Sequence, residues 1–175
     1  MIDRRPALLG LLVLTACANA EPDNPAPPVG ATRAITGTPA VVGTDVQSWV
    51  QFQGDGETVR IVGPLTPEIS ALQSYRVRIV GDTVDDPGPV QAFHVIQYDL
   101  LEVGGETPVV GTLLRVGSDF WIAEPDSVGG ERLQLIGVPA AIGADTGGKI
   151  WVVGDRGTSQ IRVRTYGVIR GPASP

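Results

Sequence analysis

Residues 77–82 read VRIVGD, and residues 150–155 read IWVVGD. Each places an aliphatic residue at its first and third positions and ends in Gly-Asp. A period of two is the mark of a strand with one buried face, and β-branched residues suit a pleated surface. Successive strand side chains point to opposite faces. Val77, Ile79, Ile150 and Val152 therefore turn to one side, and Arg78 and Trp151 to the other.

Working outward, the pairing recurs in the same order. ITGTPAVVGTDVQSWVQF (35–52) lies over VVGTLLRVGSDFWIAE (109–124), with Gly37-Thr38 on Gly111-Thr112 and Trp49 near Trp121. VRIVG (59–63) lies over LQLIG (133–137), each soon followed by proline. FHVIQYDLL (93–101) lies over IRVRTYGVI (161–169), with Tyr98 on Tyr166. The offset drifts only from 111 − 37 = 74 to 166 − 98 = 68. Such order implies a tandem duplication, 33–103 and 109–170, joined by GGETP at 104–108 and followed by a tail, 171–175.

Turn residues (Gly54-Asp55-Gly56, Asp86-Pro87-Gly88, Gly117-Ser118-Asp119) separate the apolar runs. Each half reads as three strands, a connection, and two more strands. The connection PLTPEISALQS (64–74) can make a helical turn or two after Pro67, while the glycines of VPAAIGADTGG (138–148) would fray one. Five strands with a helical link between the third and fourth resemble the OB-fold, a small Greek-key barrel. An SH3-like barrel or one two-sheet sandwich are the other readings. The expected fold class is mainly β: two tandem small five-stranded OB-like β-barrels behind an N-terminal signal and a Pro-rich linker. The expected inward residues are Val59, Ile61, Val77, Ile79, Phe93 and Val95, then Leu133, Leu135, Ile150, Val152, Ile161 and Val163. Arg60, Arg76, Arg78, Gln134, Arg162 and Arg164 suit the outer face. A domain of about 65 residues buries only some 60% of its unfolded surface, so the halves should pack together.

The first twenty residues read as a processing signal, for which Ala18-Asn19-Ala20 offers an A-x-A-like site of ordinary secretory cleavage as one reading. Arg4 and Arg5 precede an apolar core, Ala7 to Leu14, far short of the roughly 20 residues that span a bilayer. Leu14-Thr15-Ala16-Cys17 resembles the lipobox of bacterial lipoproteins. That resemblance implies a signal peptide at 1–16 and a diacylglyceryl group on Cys17, which becomes the first mature residue. Two or more acyl chains, palmitate-like in class, give a stable membrane anchor. Ala18 in place of an aspartate points to the outer membrane; the implied location is the cell membrane or outer membrane, facing the periplasm or exterior. Behind Cys17, which with them makes up the 17–32 segment, residues 18–32 carry four prolines and form a tether of roughly 45 Å at about 3.1 Å per residue. Cys17 is the only cysteine, so the folded part has no disulfide, thiol nucleophile or cysteine metal ligand.

Few side chains point to a reaction. His94 is the sole histidine and lies on an outward position. Asp82, Asp85 and Asp86 lack the spacing of a calcium loop, and Asp-Pro-Gly is turn chemistry. No phosphate-cradling glycine motif and no G-x-S-x-G elbow occurs. The precursor has net charge −6, and nine carboxylates face four arginines over 33–103, which argues against nucleic acid. No metal or cofactor is implied. The candidate binding residues are Trp151, Arg162, Arg164 and Tyr166, which by simple alternation would form an outward aromatic and basic patch. Trp49 and Trp121 recur at matched places and read as architectural. The expected role is a non-enzymatic binding or scaffolding module for an envelope protein or glycan. Two alternatives are a small-ligand or metal-responsive protein with a pocket between the halves, and an accessory hydrolase with dispersed carboxylates.

Overall fold

A computed structural model describes residues 30–44, 47–124 and 132–173. Cys17, the signal and the tether up to Val29 lie outside the described residues. The first half runs β1 (Thr32–Gly43), β2 (Ser48–Gly54), β3 (Thr58–Val62), a short helix α1 (Thr66–Ser70), β4 (Arg76–Val84) and β5 (Ala92–Glu102). The second runs β6 (Val109–Val116), β7 (Asp119–Ala123), β8 (Arg132–Ile136), a 3₁₀ helix (Ala140–Asp145), β9 (Lys149–Arg156) and β10 (Gln160–Arg170). The chain is thus mainly β, with two five-stranded sheets and two short helices in matching places. The proline-started segment makes an α-helical turn, and its glycine-bearing counterpart winds only as 3₁₀. No helix among the described residues is long and apolar enough to cross a membrane.

The strand order is β1-β2-β3-β5-β4 in one sheet and β6-β7-β8-β10-β9 in the other. Only the β3–β5 and β8–β10 pairs are parallel. The first strand of each half serves two neighbours. β1 pairs with β4 through Thr32–Gly37 and with β2 through Gly37–Gly43. β6 pairs with β9 through Val109–Thr112 and with β7 through Thr112–Val116. The strand must bend where it changes neighbour, and a glycine stands there each time. A Cβ on Gly37 would lie 2.0 Å from the Gln53 carbonyl oxygen, and one on Gly111 2.3 Å from that of Ala123.

A second device is also duplicated. β5 slips between Val80↔Gln97 and Gly81↔Val95, leaving Ile96 unpaired. β10 slips between Val163↔Gly154 and Thr165↔Val153, leaving Arg164 unpaired. These are bulges, which sharpen strand bending. Beside each bulge a glycine meets a carbonyl: a Cβ on Gly81 would lie 2.0 Å from the His94 oxygen, and one on Gly154 2.0 Å from that of Arg162. The Gly-Asp endings of the opening motifs therefore mark where the sheets bend. Gly81→Ala forces backbone apart and should cost roughly 1–3 kcal/mol, lowering the urea midpoint. Gly56→Ala, with nothing within 4 Å of its added carbon, is the neutral control. Equal midpoints for the two variants would refute the tight approach.

The alternating aliphatics fill two cores. Val59, Ile61, Val77, Ile79, Phe93 and Val95 are buried in the first. Leu133, Leu135, Ile150, Val152 and Ile161 are buried in the second, with half-buried Val163 packed on it. Trp151, Val153 and Ile169 leave their own half and join the first core. The GGETP linker is a fixed turn. Val103 and Glu106 exchange both backbone hydrogen bonds, at 2.9 and 3.1 Å. Gly104 and Gly105 between them have φ of 59° and 86°, the demand of a two-residue hairpin turn.

Candidate functional site

The expected patch around Trp151 does not assemble. Trp151 does lie on the face of β9 opposite Ile150 and Val152, but that face is pressed against the first half. The residue is 5% exposed and meets Tyr75 edge to face, ring centroids 5.3 Å apart. Gly167 faces it across β10, and a Cβ there would lie 2.6 Å from three indole atoms. Tyr166 is corrected too. The bulge at Arg164 reverses the alternation, so Tyr166 packs on the second core. Arg162 is exposed, and Arg164 is paired with Glu106 and, at 3.9 Å, with Asp155.

The joint between halves also holds Glu68, on α1, which is 6% exposed. The Tyr98 hydroxyl donates to it at 2.5 Å. From the second half, Lys149 Nζ reaches it at 3.2 Å and Arg170 at 2.8 Å. Lys149 Nζ also lies 4.3 Å from the centre of the Tyr98 ring. Burial by itself would raise the Glu68 pKa, but the Tyr98 hydrogen bond and the two cations outweigh it and hold the carboxyl below its ordinary 4.5. Burial, with the hydrogen bond and charge of Glu68, pushes the Tyr98 hydroxyl far above its ordinary 10. Side chains from both halves thus meet at Glu68 and at Trp151. Glu68 is the only buried carboxylate among the described residues, and its neighbours are cations rather than a second acid.

His94 is half-buried, and its Nδ1 lies 3.8 Å from Asp82. Asp86 turns the other way, to Arg60. The acidic run is therefore divided between two partners. Among the described residues no three His, Cys, Asp or Glu side chains come together as a metal site.

An open feature of the described surface lies elsewhere. A cleft of about 650 Å³ lies between the β1–β2 turn, the outer face of β2 and β3, and the β4–β5 loop. Its walls include Gln47, Ser48, Trp49, Arg60 and the run Asp86-Pro87-Gly88-Pro89. Val50 and Phe52 point into the core, so Trp49 points out, and it is 36% exposed. Arg60 is fixed from two sides. Its guanidinium meets Asp86 at 2.5 Å, and its backbone N–H donates to the Gln91 carbonyl at 2.8 Å. The loop closes over it at Gly88, whose added Cβ would lie 3.4 Å from the guanidinium. A flat apolar ring thus stands beside a donor–acceptor pair whose charges cancel. Trp49 read as architectural from its recurrence; the burial of Val50 and Phe52, in the opposite register, turns it outward instead. Nothing in the sequence said that the loop at 86–90 would fold back over Arg60.

No known protein family, no curated protein sequence and no solved structure matches this chain.

Proposed function

We propose that the chain is a lipid-anchored envelope protein whose two OB-like barrels bind glycan without catalysing a reaction. The ring of pairings supports the barrel reading: β1 meets both β2 and β4, and β6 meets both β7 and β9. The exposed Trp49 in the cleft over β2 and β3 carries the functional reading. In OB-folds the face of strands two and three, flanked by the loops after strands one and four, takes oligonucleotides or oligosaccharides. Here Arg60 is neutralised by Asp86 and the chain is acidic, which disfavours polyanions. An indole offers a sugar ring an apolar face, and the Arg60–Asp86 pair offers hydroxyl and acetamido groups both a donor and acceptors. Cys17 would hold the module at the membrane, with the tether setting its reach.

Purified soluble protein should sediment with peptidoglycan sacculi and bind chitohexaose. Trp49→Ala should weaken both by at least about tenfold, or about 1.4 kcal/mol, while leaving the melting temperature unchanged. Undiminished binding by that variant would remove the cleft from consideration.

A further inference from the structure

We propose that the cleft has a competitor within the chain: the proline-rich tether docks Pro22 and Pro25 on Trp49 and is displaced by glycan, a regulation that rests on the glycan reading of the Trp49 cleft. The tether reads EPDNPAPP at 21–28, with prolines at 22, 25 and 28. A polyproline II helix has three residues per turn, so this spacing puts the three rings on one edge. Segments of that kind dock on grooves lined by aromatic residues. The cleft offers the matching chemistry. The exposed Trp49 indole gives the rings a flat apolar face, and Pro87 and Pro89 of the β4–β5 loop add to the wall. A polyproline II backbone makes no internal hydrogen bonds, so its carbonyls need donors. Gln47, Ser48 and the Trp49 indole N–H are donors on the same wall.

The chain enters the fold beside this cleft. The Gly30 N–H donates to the Thr83 carbonyl at 3.2 Å. Asp86, on the cleft wall, follows only three residues after Thr83. The ladders give the span to the indole. Thr32 pairs with Asp82, Asp82 with His94, and His94 with Val62. Gln51 pairs with Arg60, so the same ladder carried two residues on sets Trp49 opposite Val62. These four steps, at about 4.8 Å each, make roughly 19 Å round the sheet. Counting back from Gly30 at about 3.1 Å per residue, Pro25 reaches roughly 16 Å and Pro22 roughly 25 Å. The two prolines bracket the indole. Gly30, Ala31 and Thr32 are all exposed, so the route begins on the outer surface.

A docked tether lies along the protein instead of extending away from it. The occupant of the cleft would then set how far the module stands from an anchor at Cys17. A short tether also holds its prolines near the cleft at millimolar effective concentration, so a weak contact suffices to fill the site for much of the time. Coverage for about two thirds of the time lowers the apparent glycan affinity about threefold.

The test uses soluble protein starting at Ala18, which contains no cysteine. Asn24→Cys then carries the only nitroxide label, and the Trp49 indole N–H resonance, identified by its loss in Trp49→Phe, reports proximity. That resonance should broaden in the labelled protein. It should sharpen when Pro22→Ala and Pro25→Ala are added, and again when chitohexaose saturates the labelled parent. Without the label, the double proline variant should bind chitohexaose about threefold more tightly than wild type. Equal line widths with and without the two prolines overturn the docking, and the cleft reading then stands if Trp49→Ala still loses chitohexaose. Docking with unchanged chitohexaose affinity overturns the competition. No chitohexaose binding by the double proline variant overturns the glycan reading and the competition with it. Broadening of unlabelled, isotope-enriched protein by labelled protein in a mixed sample assigns the segment to a second copy and overturns docking within one chain.

Discussion

Trp151→Ala should destabilise the protein by about 3–5 kcal/mol, the range for removing a large aromatic from a packed core. The indole belongs by sequence to the second half and by contact to the first. It is 5% exposed, meets Tyr75, and lies in one cluster with Ile69, Leu72, Leu100, Val153 and Ile169. The resulting cavity would open at the joint, not inside either sheet. That location predicts the form of the loss as well as its size. A sheet of this length is marginal alone, so each half depends on the other for part of its burial. Wild type should unfold in urea as one transition. The variant should show two, because the weaker half no longer shares a core with the stronger. Near-ultraviolet circular dichroism and calorimetry would both register the split. A loss below about 1 kcal/mol with a single retained transition would mean that the joint adds little.

The same residue shows where a sequence stops informing. Alternation placed Ile150 and Val152 inward and Trp151 outward, and that geometry holds. Alternation cannot say what covers the outer face. One signal was present: IWVV is apolar at all four positions, whereas VRIV carries Arg78 at the second. An unbroken apolar run marks a strand covered on both sides. All four residues of IWVV are buried, and Arg78 is exposed. Tyr166 was misplaced for a different reason. The bulge at Arg164 inserts one residue and reverses the alternation up to Val168, where a second register shift follows. Gly154, matched by Gly81 beside the bulge at Ile96, was its trace in the sequence. The two matching five-stranded sheets and both cores were legible because they rest on local period and on matched segments. The Trp49 cleft was missed, since recurrence read the tryptophan as architectural and a loop closure gave its neighbours. The Glu68 cluster was not legible at all. Its cations come from 81 and 102 residues away, where no periodic pattern reaches.

That cluster yields the second large effect. Glu68→Gln should cost about 2–3 kcal/mol at pH 7, at or just below the roughly 3–5 kcal/mol for breaking a fully buried ion pair. The smaller cost applies because Lys149 and Arg170 are 25% and 64% exposed and can regain water once the carboxylate is gone. The pH dependence separates this charge effect from a packing defect. Glu68 has a folded-state pKa below its ordinary 4.5, so the native state binds its proton less readily than the unfolded chain. Its contribution is therefore complete above about pH 4.5 and declines as the pH falls through the folded value. Wild type loses that contribution in acid, and Glu68→Gln has none to lose. The stability gap between the two proteins should be full at pH 7, narrow below about 4.5 and close once Glu68 is protonated in both states. Urea titrations of both proteins at pH 7 and pH 3 measure it directly. A gap that stays constant across that interval would mean that glutamine merely fits the site badly. A gap that closes would identify the Lys149–Glu68–Arg170 cluster as an electrostatic clasp between the halves, and Lys149→Met would then be nearly silent in the Glu68→Gln background while costly in wild type.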